Sequence, residues 1–134
     1  LDGEAIDLGD IRLDLYSVGA EKDHIVPWQS AWRVTQLVGG TVRFVLASSG
    51  HVAGIINPPS KGKYGHYTSA APVAGDTEAW LAGATFNQGS WWPRWGAWLS
   101  AQSGQQIKAR VPGDSVHPVL CPAPGTYVTA QPTG

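Results

Sequence analysis

Val42-Arg43-Phe44-Val45-Leu46-Ala47, running into Ser48-Ser49-Gly50-His51, is the stretch on which the fold turns. It is a short apolar run, rich in β-branched and aromatic side chains and bounded by glycines, as a strand covered on both faces requires. Immediately upstream, Gly39-Gly40 closes a helix predicted from Pro27 to about Val38. Pro27 suits its first turn, where a missing N–H costs nothing, and Trp28, Ala31 and Trp32 recur at the spacing of a buried helical stripe. Before that helix lies a second strand-like run over 11–18, with Ile11, Leu13 and Leu15 alternating and Tyr16 and Val18 filling its end. Strand, helix and strand with short links make a βαβ unit, hence parallel strands, a right-handed crossover and an α/β fold class. Two parallel strands cannot cover their own faces and edges, so further strands are expected on the N-terminal side.

Each predicted strand delivers an ionisable loop: Glu21-Lys22-Asp23-His24 after the first and Gly50-His51 after the second. Adjacent parallel strands present both loops at their shared C-terminal edge, where ligands bind in open α/β sheets. An acid followed by a histidine matches the second and third members of an α/β-hydrolase triad in chain order. The first member, a Ser or Cys on a G-x-[SC]-x-G turn, does not occur in this sequence. Asp23 and His51 are therefore the expected catalytic residues, with the N-terminal strands and the nucleophile elbow lying outside this chain. His24 has two readings, as a pocket-lining residue supporting Asp23 or as a hydrogen bonder of the loop.

With 134 residues, 43% hydrophobic and 14% charged, the composition is that of a globular domain. A net charge of −1 carries no broad footprint for nucleic acid or anionic lipid. No apolar run reaches the roughly 20 residues of a membrane span, and the acidic opening residues carry no expectation of a secretory signal. Cys121 is the single cysteine, which excludes an internal disulfide and fits a reducing compartment. His66 and His117 stand apart from other ligands, so no metal is expected. The chain opens on Leu1 and holds no methionine, which points to a piece of a longer protein.

Residues 50–75 show no convincing periodicity: Asn57-Pro58-Pro59 breaks the chain, and Lys61 to His66 read as an exposed loop. Helices are predicted over 77–83, capped by Asp76 or Thr77, and from Ser90 as cap to Ser103, stopped by Gly104. Trp91, Trp95 and Trp98 share a face of the second helix. Seven tryptophans invite a stacking role, but helical spacing beside Ala and Leu favours core packing. Residues 1–104 read as the folded region, and 105–134, with prolines 112, 118, 122, 124 and 132, as an irregular tail packing on it.

Longer motifs sharpen this. Asp23-His24-Ile25-Val26-Pro27-Trp28, Ser49-Gly50-His51-Val52-Ala53-Gly54-Ile55-Ile56-Asn57-Pro58-Pro59, Ala79-Trp80-Leu81-Ala82-Gly83-Ala84, Gly89-Ser90-Trp91-Trp92-Pro93 and Ala123-Pro124-Gly125-Thr126-Tyr127-Val128 stand in order along nearly the whole chain. Together they closely resemble the polyhydroxyalkanoate (poly-3-hydroxybutyrate) synthases, class I-like, in the C-terminal portion of their catalytic domain. The resemblance implies the end of an α/β-hydrolase fold, with its last two parallel strands and their helices. It implies an acyltransferase that polymerises (R)-3-hydroxyacyl-coenzyme A, leaning towards 3-hydroxybutyryl-coenzyme A, into polyester with release of coenzyme A. Carried over, His51 is the general base that generates a cysteine thiolate supplied from outside this chain, and Asp23 either orients His51 or activates the incoming 3-hydroxyl. The chain alone is expected to be inactive. No cofactor is implied beyond the thioester substrate; the expected setting is a homodimer at the surface of a cytoplasmic polyester granule. Lys22 departs from the family, which more often has an acid there. Cys121, in Val119-Leu120-Cys121-Pro122, lacks a glycine elbow and is not read as the nucleophile. Lys61, Lys63 and Arg94 read as scattered surface charge rather than a coenzyme A phosphate site. The competing reading is an α/β-hydrolase with a serine nucleophile, an esterase or depolymerase; a third is an aromatic binding platform without catalysis.

Overall fold

A computed structural model describes residues 2–70 and 75–130. In chain order the elements are β1 (Leu15–Ala20), α1 (Trp28–Trp32), α2 (Val34–Leu37), β2 (Val42–Ala47), β3 (Gly65–Thr68), α3 (Thr77–Gly83), β4 (Thr85–Gln88) and α4 (Trp92–Gln102), with short 3₁₀ turns elsewhere. The strands form one sheet in the order β1-β2-β3-β4. β1 and β2 pair in parallel, from Leu15 opposite Val42 to Ala20 opposite Ala47, so the predicted βαβ unit is present. β3 and β4 then add antiparallel, making a mixed α/β sheet.

The parallel pair is thus not the last of the sheet, and the stretch read as an exposed loop ends in a strand. His66 is buried within β3. Strands of four residues, one of them the polar Thr85-Phe86-Asn87-Gln88, are too short to show an alternation of period two.

β1 begins at Leu15, not at residue 11, because Ile11 and Leu13 do not face the core and are exposed. The ladder opens where Leu15 N–H reaches Thr41 O at 2.8 Å. The predicted helix over 27–38 divides at Arg33, where the hydrogen bonds tighten to 3₁₀ spacing: Arg33 N–H to Ser30 O and Gln36 N–H to Arg33 O. Pro27 precedes the first turn as its cap, with φ −50° and ψ 131°, rather than lying inside it. α3 spans 77–83 as expected, capped by Asp76, whose carboxylate accepts the Ala79 N–H at 2.7 Å. α4 starts later than expected: its cap is Trp91, while Ser90 Oγ accepts the Trp92 N–H at 3.1 Å.

Alternation along β2 divides the core between the two faces of the sheet. Phe44 and Leu46 pack with Trp28, Trp32 and Trp80 on one face, in edge-to-face contacts such as Trp32–Phe44 at 5.0 Å and 82°. Val45 and Ala47 pack with Trp91 on the other, flanked by Tyr16, Val18, Ile55 and Trp92. Four of the seven tryptophans are therefore buried core residues, as their spacing implied, and Trp95 is the exposed member of its face.

Contacts divide the chain into one unit ending at Ser103 and another beginning at Gly104. Up to Ala130 the second unit is irregular apart from the turn Tyr127–Thr129, while Pro132 lies outside the described residues. It exposes Ile107, Val111, Leu120 and Tyr127.

Candidate active site

Because β1 and β2 end level, at Ala20 and Ala47, the chain leaves both strands at one rim. Two further backbone bonds hold the exits together: Glu21 N–H to Ala47 O at 2.8 Å and Lys22 N–H to Ser49 O at 3.0 Å. The loops they carry bring Asp23 and His51 into contact, with Asp23 Oδ2 at 2.8 Å from His51 Nδ1.

Local bonds fix the Asp23 carboxylate. Its Oδ1 accepts the Ile25 and Val26 N–H groups, both at 2.9 Å, folding the loop back over the side chain. The Val26 N–H, then the His51 contact and the Ile25 N–H, outweigh burial and hold the Asp23 carboxyl at about 2. Asp23 is therefore ionised at neutral pH and can only accept, so His51 Nδ1 must carry the proton it donates. In the neutral imidazole the free lone pair is then on Nε2. The two side chains differ in exposure, 42% for His51 against 7% for Asp23, so the acid is shielded and the imidazole open. An oriented imidazole with an available Nε2 can accept a proton from a nucleophile brought within hydrogen-bond reach.

The other predicted residues fall elsewhere. His24 is exposed and takes no part in the bonds that fix Asp23. Cys121 is exposed in the second unit, and among the described residues only the 3₁₀ turn Tyr127–Thr129 follows it. His117 is not isolated, since its Nδ1 lies 3.4 Å from Asp114. Lys61 and Lys63 are exposed, and Arg94 donates to Asn87 Oδ1 at 2.9 Å. Among the described residues no three His, Cys, Asp or Glu side chains gather as a metal site, and no helix is long and apolar enough to cross a membrane.

Sequence reasoning missed His66. Its Nδ1 donates to Gly89 O at 2.9 Å, its Nε2 is buried without a partner among the described residues, and burial lowers its pKa below the usual imidazole value. No local signal marks it, because its surroundings come from the unpredicted β3–β4 pairing. A cleft of about 810 Å³, lined by Tyr16, Arg43, Asn87, Arg94 and Trp98 among others, includes neither Asp23 nor His51. It reaches Thr41 and Val42, where β2 begins, whereas the pair sits where β1 and β2 end.

No family model matches the chain. Curated proteins do. It is 45% identical over 130 residues to the poly(3-hydroxyalkanoate) polymerase subunit PhaC of Cupriavidus necator, covering 96% of this chain and 22% of that protein. It is 41% identical over 128 residues to the protein of the same name from Rhizobium etli, covering 96% of the chain and 20% of the relative. With the poly(3-hydroxyalkanoate) polymerase of Methylorubrum extorquens it shares 44% identity over 129 residues, 90% of the chain and 21% of the relative. The chain thus spans about a fifth of the length of these relatives.

Proposed function

Because this chain belongs to the poly(3-hydroxyalkanoate) polymerase family, we propose that it supplies the acid–base half of an acyl-transfer site to a longer polymerase. In this reading the sheet is part of an α/β-hydrolase core, and further strands pair with the free edge of β1. The uncharged, proline-free run Leu15–Ala20 favours that, since such edges are normally covered.

The chemistry follows from the pair. Asp23 holds the Nδ1–H tautomer, and His51 Nε2 takes the proton from a cysteine thiol carried by the longer protein. The thiolate attacks the thioester carbonyl of an (R)-3-hydroxyacyl-coenzyme A, 3-hydroxybutyryl as the favoured acyl group. Coenzyme A leaves as its thiol, taking the proton from the imidazolium. The acyl group now sits on the enzyme's sulfur, a good leaving group. An incoming 3-hydroxyl, deprotonated by His51 or activated by Asp23, attacks the acyl-enzyme carbonyl; the carbon–sulfur bond breaks, the cysteine leaves as its thiol with that proton, and the polyester is longer by one ester bond. Nothing in this sequence of steps calls on a cofactor. Partners in this reading are a second copy of the polymerase and the surface of a cytoplasmic polyester granule.

The observation that carries the proposal is the 2.8 Å contact between Asp23 and His51, made by a shielded carboxylate and a partly exposed imidazole. The test has two arms. Incubated with 3-hydroxybutyryl-coenzyme A, this chain alone should release no thiol above the uncatalysed rate, because the nucleophile is absent. In the longer polymerase, Asp23→Asn should lower turnover by about 10³–10⁴-fold, the scale set by the triad aspartate of serine proteases. A loss of less than about tenfold on that scale would remove Asp23 from the triad.

A further inference from the structure

His51 is carried by a compact turn in which Gly54 N–H bonds Gly50 O at 2.8 Å, and the Ile55 and Ile56 N–H groups both reach Val52 O, at 3.1 and 2.8 Å. Asp23 restrains the imidazole from one side. Far along the sequence, two side chains grip the same turn through its backbone. Trp91 Nε1–H donates to Gly54 O at 3.0 Å, and Trp92 Nε1–H donates to Ile55 O at 3.0 Å. Adjacent carbonyls are held by adjacent indoles, so a rotation of the turn breaks both bonds together.

The indoles are themselves fixed. Trp91 is buried, meets Trp92 at 6.4 Å and 75°, and packs in the cluster that contains Val45, Ala47 and Ile55. The residues leading into them are tied to the sheet: Gly89 N–H bonds Tyr64 O at 2.8 Å, and His66 Nδ1 donates to Gly89 O at 2.9 Å. A connected path therefore runs from β3 through Gly89 and the indoles to the backbone of the turn that bears His51.

We propose that Trp91 and Trp92 are positioning residues for His51, setting the imidazole against Asp23 by clamping the Gly54 and Ile55 carbonyls. The role rests on the reading of His51 as the general base. Indole suits it: an apolar body fills the cluster while a single N–H, which needs an acceptor when buried, reaches a carbonyl.

Trp91→Phe and Trp92→Phe keep an aromatic ring but remove the N–H donor together with part of the ring system, so packing loss is read against Trp95→Phe. Trp95→Phe is the packing control: its ring meets Trp91 at 6.1 Å, but the bonds to the Gly54 and Ile55 carbonyls come from Trp91 and Trp92. In this chain the His51 Nδ1–H resonance, read by ¹H–¹⁵N NMR, should broaden or vanish in the Trp91→Phe/Trp92→Phe double variant and persist in Trp95→Phe. In the longer polymerase the double variant should lose kcat by roughly 10- to 100-fold with KM nearly unchanged, the scale expected when a reacting group is misplaced by about 1 Å. Trp92→Phe alone, at a half-buried site, keeps the test readable if the double variant folds poorly; it should show both effects in weaker form. Retention of the resonance, or of kcat at the Trp95→Phe level, overturns the clamp. Asp23→Asn, run in parallel, separates the two ideas. If that variant keeps its turnover the triad reading fails, whereas full turnover in the tryptophan variants with loss in Asp23→Asn rejects the clamp alone.

Discussion

A methyl group at Gly54 has nowhere to go. Built there, a Cβ would lie 2.9 Å from Ala20 Cβ, 2.9 Å from Gly50 O and 3.4 Å from Ala47 Cβ. Ordinary carbon–carbon contact begins near 3.5 Å, so Gly54→Ala requires the turn to lift off the strand ends by about 0.6–1 Å. The strand ends cannot recede instead, because Ala20 and Ala47 are buried at the close of the parallel ladder. Overpacking of this kind costs about 1–3 kcal/mol. For a chain of this size that is a fall in Tm of roughly 3–12 °C. His51 rides on the same turn, and a displacement near 1 Å at a reacting group lowers the rate by about 10²-fold. Thermal unfolding of this chain and turnover of the longer polymerase measure the two effects. Gly50→Ala is the contrast for stability, since a Cβ there meets only Lys22 O at 3.4 Å. A Gly54→Ala chain that melts with Gly50→Ala, in a polymerase retaining turnover within about threefold, would refute the close approach and with it the mechanical link from strand ends to His51.

Other outcomes follow from the same contacts. The Asp23 carboxyl, held at about 2 when folded against about 3.9 when unfolded, adds stability that is fully present above about pH 4 and lost as pH falls towards 2. Urea midpoints from pH 5 to 2 should therefore drop less steeply in Asp23→Asn. His66 has a lowered pKa, so the unfolded chain takes up its proton first, and stability should decline as pH falls through about 6.5. Comparing urea midpoints at pH 7.5 and 5.5 should show that decline in the parent chain and a smaller one in His66→Gln. Leu46→Ala, at a fully buried site, should cost about 2–5 kcal/mol, whereas Leu120→Ala, 93% exposed, should stay within about 0.5 kcal/mol by chemical denaturation. Acrylamide should quench tryptophan emission only partly, because Trp28, Trp32, Trp80 and Trp91 are buried, and Trp95→Phe should lower the quenchable fraction.

What could be read from the chain was whatever local pattern determines. β2 announced itself because a covered strand is a continuous apolar run, and Asp76 announced α3 because a cap is chosen by its own neighbourhood. The meeting of Asp23 and His51 across 28 residues needed only that two parallel strands end level, a matter of topology. What stayed hidden depended on partners. Ile11 and Leu13 have the alternation of a strand but face away from the core, so their pattern misled. Gly65-His66-Tyr67-Thr68 is a strand because β2 and β4 flank it, a fact no four-residue window contains.

The tryptophans mark the boundary between these two kinds of information. Spacing and neighbours identify a buried indole, because ring burial is an apolar property that repeats along a helix. The direction of its N–H is not periodic, and a solvated donor and a clamped one leave the same sequence behind. For Trp91 and Trp92 the acceptors lie 37 residues upstream, in the turn of the very histidine whose loop position was read directly. The contact of a carboxylate with an imidazole can thus be located from chain order, yet the indole bonds to the turn that bears the imidazole are non-local and act through backbone carbonyls, which every residue possesses. It follows that substitutions around His51 should divide by mechanism. Those that change its carboxylate partner alter charge and tautomer, whereas those at Trp91, Trp92 or Gly54 leave charge untouched and act only on geometry, lowering kcat while substrate binding persists.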